Sequence, residues 1–391
     1  MSRIDDLIAE LCPEGVEFKE LGELLDYEQP GKYLVESTAY DNDHATPVLT
    51  AGQTFILGYT DETSGIYQAS QKEPVIIFDD FTTAFKWVDF PFKAKSSAMK
   101  MLTLNTDALY SLKYAYYAMK TITYAPQDHA RQWIGTYSKF NIPVPPLEVQ
   151  REIVKVLDTF TQLEAELEAE LEARRRQYQY YRDALLSFAG KDDIRWATLG
   201  EVGKFIRGRR FTKDNYVPDG TRCIHYGDIY THYGISARET ISHVRTELAS
   251  SLRFARPGDL VIAGVGETVE DVGKAVAWLG DGEVAIHDDC FAFRHSLDPK
   301  FVSYYFQTAA FHAEKNKFVA RAKVKRLSAE NLGKLMIPIP PLSEQARIVA
   351  ILDQFDALVN DLTSGLPAEI AARRTQYAHY RDRLLTFKEA A

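Results

Sequence analysis

The chain repeats itself, and the repeat constrains its fold more than any other feature. The segment starting at Ile142 reads IPVPPLEVQREIVKVLDTF, and that starting at Ile337 reads IPIPPLSEQARIVAILDQF. At an offset of 195 residues, Pro145/Pro340, Pro146/Pro341, Leu147/Leu342, Gln150/Gln345, Leu157/Leu352, Asp158/Asp353 and Phe160/Phe355 coincide. The segments also close alike, with ARRRQYQYYRDALLSF ending at Phe188 and ARRTQYAHYRDRLLTF at Phe387, where the offset is 199. The second copy thus carries four extra residues, about one helical turn, which keeps an apolar face roughly in phase. A fainter echo joins Phe18-Lys19-Glu20-Leu21-Gly22-Glu23-Leu24 to Trp196-Ala197-Thr198-Leu199-Gly200-Glu201-Val202. The chain reads as two half-units in tandem, each a variable segment followed by a helix.

Pro145-Pro146 stops the preceding structure and seats a first helical turn. No Gly or Pro follows between Leu147 and Phe188, and apolar residues recur at helical spacing at Ile153, Leu157, Phe160, Leu163, Leu167 and Leu171. About 40 residues make a rod of about 60 Å. Its middle is nearly tandem, Leu-Glu-Ala-Glu at Leu163 and again at Leu167. Thr363-Ser364-Gly365-Leu366-Pro367 interrupts the second helix and predicts a kink or short loop. Two amphipathic helices with a globular domain between them predict an antiparallel coiled coil. Its expected core is Ile153, Leu157, Phe160, Leu163, Leu167, Leu171, Ile348, Leu352 and Phe355, with Tyr178, Tyr181, Tyr377 and Tyr380 packing at the seam. Arg174-Arg175 and Arg373-Arg374 read as a solvated face.

The segments 1–141 and 191–336 combine short strand-like runs (Pro74–Phe78, Asp259–Ala263, Val284–Ile286) with aromatic helices expected over Ala108–Lys120 and Pro299–Lys315. The fold class is therefore α+β. Two mixed α/β domains, 1–141 and 191–336, are separated by long helices, 142–190 and 337–391, in a pseudo-twofold internal repeat. Three scattered cysteines, with no Cys-x-x-Cys pair, fit a reducing cytoplasm and argue against a disulfide framework or a cysteine zinc site. The N-terminus has no signal-peptide pattern, and no run approaches the ~20 apolar residues of a membrane span.

The net charge of −9 argues against a protein that simply coats DNA. The charge is uneven: −8 over 1–141, +3 over 191–334 and −4 elsewhere. In the second domain, Arg207, Arg209, Arg210 and Lys213 form an aromatic-flanked basic loop, and Arg321, Lys323, Lys325 and Arg326 a second cluster. Both are DNA-binding candidates for one cleft, since Arg suits guanine and Lys suits phosphate. The first domain offers Lys93, Lys95, Lys100, Arg131 and Gln132; Gln132, Asn42 and Gln53 are candidates for adenine edges.

Catalytic signatures are missing. There is no Asn/Asp-Pro-Pro-aromatic motif, as an adenine methyltransferase needs, and no Walker motif. Gly264-Val265-Gly266 lacks the third glycine of a dinucleotide fingerprint. His225, His232 and His243 lack metal-ligand spacing, and Asp79-Asp80 and Asp288-Asp289 read as turn residues. No catalytic residue and no metal ligand is assigned.

The order of variable domain, Ile-Pro-x-Pro-Pro-Leu-x-x-Gln, long helix, variable domain, the same motif and a final helix resembles the specificity subunit of type I restriction-modification systems. Gly227-Asp228-Ile229-Tyr230, Pro257-Gly258-Asp259-Leu260-Val261-Ile262 and His287-Asp288-Asp289-Cys290 are also similar to segments of that family's target recognition domains. The resemblance covers the whole chain, with the Gly365-Leu366-Pro367 break as a departure that bears on the length of the second rod. It implies two target recognition domains, each reading half of a gapped, asymmetric site on double-stranded DNA, spaced by the coiled coil. It also implies two methyltransferase subunits and motor-nuclease subunits as partners, which carry the S-adenosylmethionine, Mg²⁺ and ATP, so that this chain holds no cofactor. Rival readings are a coiled-coil adapter without DNA readout and a stand-alone DNA methyltransferase or nuclease.

Overall fold

The structure, a computed structural model, describes residues 3–52, 54–105, 110–127, 129–191, 193–320 and 324–390. The chain forms two compact units, Met1–Leu167 with Ile370–Ala391, and Glu168–Glu369. The boundaries cut through the helices rather than falling at their ends, so each unit holds one variable domain and parts of the helical segments. Among the described residues no helix is long and apolar enough to cross a membrane.

The first unit has strands β1 (Glu17–Glu20), β2 (Leu25–Glu28), β3 (Thr46–Leu49), β4 (Ile56–Thr60), β5 (Val75–Asp79), β6 (Phe85–Val88), β7 (Lys93–Ala94), β8 (Met99–Leu104) and β9 (Asn141–Val144). One sheet runs β2-β8-β5-β6 and another β4-β3-β7, with β3 and β7 parallel; β1 pairs antiparallel with β9. The apolar run in β5 is buried on both faces. Ile76 and Phe78 enter a core with Tyr114 and Tyr117 of the helix Leu112–Met119, whereas Val75 and Ile77 enter a second core with Leu49, Phe92 and Met101. This is the period-two alternation of a strand covered on both sides.

The second unit has β10 (Arg195–Thr198), β11 (Gly203–Arg207), β12 (Tyr216–Val217), β13 (Thr221–Ile224), β14 (Ser236–Ala237), β15 (Ser242–Val244), β16 (Phe254–Ala255) and β17 (Leu260–Ala263). It continues with β18 (Val265–Gly266), β19 (Ala275–Trp278), β20 (Val284–Ile286), β21 (Cys290–His295), β22 (Lys325–Arg326) and β23 (Met336–Ile339). Its sheets run β11-β21-β17-β19-β14 and β12-β15-β13-β20-β16. The plan of the first unit recurs: β11-β21-β17-β19 matches β2-β8-β5-β6, the parallel pair β13/β20 matches β3/β7, and β10/β23 matches β1/β9. Leu260 and Ile262 likewise face one core and Val261 and Ala263 another. The expected helix Pro299–Lys315 is two, Pro299–Tyr305 and Ala309–Lys315, because the Thr308 side chain caps the second by accepting from the Phe311 amide.

The repeated motifs become intelligible as pairs. Lys19↔Ile142 and Ala197↔Ile337 are in register, so the faint echo at the start of each half is the strand partner of the Ile-Pro motif at its end. Gln150 Oε1 accepts from the Ser111 amide at 3.0 Å, and its Nε2 donates to Pro145 O at 2.8 Å. Gln345 does the same with the Asp298 amide and Pro340 O, both at 2.8 Å. Ser111 and Asp298 are the N-caps of the two aromatic helices, so each glutamine ties a cap to the proline turn.

The long helix runs Leu147–Leu185, and the C-terminal helices are Leu342–Asn360 and Leu366–Leu384. In the first unit Phe160 stacks on Tyr380 at 5.4 Å and Arg374 Nε donates to Glu164 at 2.6 Å. In the second, Tyr181 stacks on Phe355 at 5.4 Å and the Tyr178 hydroxyl donates to Asp356 at 3.3 Å. Within each unit the contacts advance along one helix and retreat along the other, so both pairs are antiparallel.

The expected coiled-coil core divides. Ile153 and Leu157 are wholly buried in the core around Tyr114 and Tyr117, and Ile348 and Leu352 in that around Phe301 and Tyr304. The first turns of each segment thus serve the adjoining globular domain, and ring contacts between helices begin at Phe160 and Phe355. Leu163 and Leu167 are half-buried, and Leu171 packs on the core of the second unit. The predicted break lies at Asp361–Gly365, where the Asp361 carboxylate accepts from the Thr363 amide at 2.7 Å and from its hydroxyl at 2.6 Å. A Cβ on Gly365 would sit 2.4 Å from Ala357 O, so the turn excludes larger residues.

Candidate nucleic-acid interface

In the second unit, β11 delivers the basic loop to the turn before β21. The Gly208 amide donates to Cys290 O and the Arg209 amide to Ile286 O, both at 3.0 Å. A Cβ on Gly208 would lie 2.0 Å from His287 O, so only glycine lets the two backbones approach. Arg207 Nε donates to Asp288 O at 2.8 Å, and Arg253 Nη1 donates to Arg207 O at 3.0 Å. Arg209, Arg210 and Lys213 are exposed.

The second basic cluster meets the same turn. Arg326 Nη1 lies 3.5 Å from the Asp289 carboxylate. Arg207, Asp288, Asp289, Phe291, Arg326 and Ser328 line one open cavity of about 430 Å³. The structure therefore brings Arg207 and Arg326 together from opposite ends of the domain sequence. Lys325 is half-buried beside them. Arg321 and Lys323 lie outside the described residues.

His287, Asp288 and Asp289 offer three ligand atoms close together. The hydrogen bonds oppose a metal role for the imidazole. Its Nδ1 accepts from the Asp289 amide at 3.2 Å, which assigns the proton to Nε2, where the ring donates to Phe211 O at 3.2 Å. His225 packs its ring 4.6 Å from His287 and caps a short helix by accepting from the Gly227 amide. Burial, then the neighbouring His287, lowers its pKa.

The first unit corrects three expectations. Lys93 is buried, 2.6 Å from the Glu62 carboxylate, and donates to Ser64 O at 2.8 Å. Lys100 is fully buried, 3.2 Å from Asp80 and 4.4 Å above the Tyr27 ring. Gln132 is buried, accepting from the Tyr124 hydroxyl at 2.7 Å and donating to Ala130 O at 2.9 Å. All three side chains are buried and committed to partners inside the unit, where desolvation demands them, rather than presented at the surface as expected. Lys95 is exposed, 5.7 Å from the Tyr40 ring centre, and Asn42 is exposed. Arg131 is exposed, with Nη1 3.9 Å from Asp80. Gln53 lies outside the described residues. Arg253 and the acids that hold the arginines were missed by local reading; the adjacent Asp288-Asp289 pair was the available signal.

Residues 13–173 and 192–372 each match the type I restriction modification DNA specificity domain family. The Escherichia coli type I restriction enzyme EcoR124I/EcoR124II specificity subunit is 41% identical over 395 residues, covering 95% of this chain and 94% of that protein. A putative type I restriction enzyme specificity subunit of Haemophilus influenzae is 30% identical, covering 70% of this chain and 72% of its own. The crystal structure of the S subunit of a type I restriction-modification system from M. genitalium superposes with a TM-score of 0.57 at 15% identity, covering 95% and 96% of the two chains. That likeness extends to the fold.

Proposed function

This chain belongs to the type I restriction modification DNA specificity family, and from that membership we propose how it works. It is a specificity subunit of a restriction-modification complex and is not itself an enzyme. Each variable domain reads one half of a gapped, asymmetric site on double-stranded DNA. The observation that carries this reading is the duplication itself: one strand plan occurs twice, with different residues beside Arg131 and Arg326. Two unlike readers in one chain match a two-part site without a dyad.

Two methyltransferase subunits dock on the helical segments, and motor-nuclease subunits join them. S-adenosylmethionine, Mg²⁺ and ATP are held by those partners. The complex works in the cytoplasm, with the DNA it reads.

The helix Leu147–Leu185, 39 residues long, acts as a spacer. Deleting Leu167–Glu170 removes about 6 Å of helix, close to two base-pair steps. The gap in the methylated site shrinks while both half-sites stay the same; an unchanged gap refutes the spacer role. The primary test is the genomic N6-methyladenine pattern with and without this gene, partner genes present. Loss of one gapped motif is the expected result, and an unchanged pattern with active partners favours the adapter reading.

A further inference from the structure

Arg131 and Arg326 stand 195 residues apart, the offset of the Ile-Pro motif that follows each. The backbone confirms that they are equivalent. In the first unit the Asp80 amide donates to Ala98 O at 3.0 Å, and the Gln132 amide to Asp80 O at 2.8 Å. In the second, the Gly264 amide donates to Asp289 O at 2.8 Å, and the Leu327 amide to Gly264 O at 2.9 Å. Asp80 thus corresponds to Gly264, Ala98 to Asp289, and the residue after each arginine closes the same contact.

The acid beside the arginine comes from different strands. Asp80 follows β5, whereas Asp289 precedes β21, and each unit has a small residue (Ala98, Gly264) where the other has the acid. Nevertheless both carboxylates face Nη1 of the arginine, at 3.9 Å and 3.5 Å. The arginine side chains stay 52% and 60% exposed. Two unrelated backbone routes arrive at one juxtaposition, an exposed arginine within ion-pair distance of an acid.

At Arg326 the Asp289 carboxylate offsets the arginine's charge and repels a second anion, which suits it poorly to phosphate; at Arg131 the offset is weaker, because Asp80 also pairs with Lys100 at 3.2 Å. An arginine held this way is well suited to directional hydrogen bonding. With Nη1 turned to the acid, the Nε–Nη2 edge keeps two parallel donors, and among the described residues no bond to that edge is made. Two parallel donors match the O6 and N7 acceptors of guanine in the major groove. We propose that Arg131 and Arg326 are the equivalent guanine-reading residues of the two half-sites, positioned by Asp80 and Asp289. This rests on the DNA-reading function proposed above.

The test replaces Arg326 with Gln or Lys, and separately Arg131, in the full chain co-expressed with its methyltransferase subunits, and reads the genomic methylation motif. Arg326 and Arg131 are exposed, so folding is spared. Each variant is expected to relax one guanine position, in one half-site only, by roughly 5- to 150-fold in discrimination. The two variants relax opposite half-sites, and Lys does not restore the preference, because it lacks the fork. A uniform fall in methylation with every position still specified overturns the proposal in favour of phosphate contact, and so does an unchanged motif. Both of those results leave the DNA-reading function standing. Absence of any gapped motif with the unaltered chain overturns both.

Discussion

Replacing Gln345 with leucine tests whether the repeated Pro-Pro-Leu-x-x-Gln motif is a structural staple. Gln345 is 1% exposed and satisfies two main-chain groups, the Asp298 amide and Pro340 O, each at 2.8 Å. Leucine fills nearly the same volume, so the cavity left is small. The loss is that of two partners from sites water hardly reaches, at about 1–3 kcal/mol each. Asp298 is half-buried, so some water returns to its amide, and the expected total is about 2–4 kcal/mol. The effect should be local, since Asp298 also caps Lys300 and Phe301 with its carboxylate. Urea unfolding followed by hydrogen exchange, resolved by segment, is the assay. Exchange should quicken first in Pro299–Tyr305. The mirror change, Gln150→Leu, should free Leu112–Met119 in the same way, and because the two glutamines share no partner their costs should add. A loss below about 0.5 kcal/mol, the level of ordinary surface changes, or faster exchange spread evenly over the unit, refutes the staple.

Further outcomes follow from single contacts. Phe355→Ala removes the ring stacked on Tyr181 at 5.4 Å and should cost about 2 kcal/mol in thermal unfolding. Gly365→Ala should destabilise the helical turn by more than the usual glycine-to-alanine gain of about 1 kcal/mol, since its Cβ meets Ala357 O at 2.4 Å; a stabilised variant would contradict the geometry. Burial, then Lys315 and Arg182, pushes His312 down to about 4 from its ordinary 6.5. The unfolded chain therefore binds the extra proton first. This stability term is intact above about pH 6.5 and is lost as pH falls through 4, by at most about 3 kcal/mol. His312→Gln should flatten that part of the pH–stability curve.

The helices and their repeat were legible because their signals are local: proline stops, helical spacing and matched words. The strand plan was legible only in outline. The two domains share sheet order and even single amide contacts, but between the echo at the start and the Ile-Pro motif at the end no aligned word announces this. Strand pairing is satisfied by backbone, so side chains on the surface can diverge without changing the sheet. The lysines misled for a related reason. Lys93 and Lys100 look like surface charges, yet Glu62 and Asp80, 31 and 20 residues away, complete them inside the unit. Conversely, Arg207 and Arg326 look like two clusters and line one cavity, because β11 and β22 both reach the turn before β21.

A duplicated chain also separates what the architecture needs from what each copy does. Asp158 and Asp353 make the point. Tyr117 donates to Asp158 at 2.5 Å and Tyr304 to Asp353 at 2.7 Å, while Lys113 and Lys300 approach the same carboxylates at 3.6 Å and 2.6 Å. Burial, reinforced by these bonds, raises both phenol pKa values, so each tyrosine remains a proton donor. The glutamine staple, the tyrosine–aspartate bond and the phenylalanine–tyrosine stack all occur twice, and all join a domain to its helix or one helix to the other. None touches Arg131 or Arg326. There the arginine is kept although its acid has moved from the position of Asp80 to that of Asp289. A contact that survives the exchange of its supporting strand is constrained by what it touches outside the fold. On that logic, the proposal that Arg131 and Arg326 read DNA predicts that the variable domains can be exchanged between relatives while the staples hold the frame.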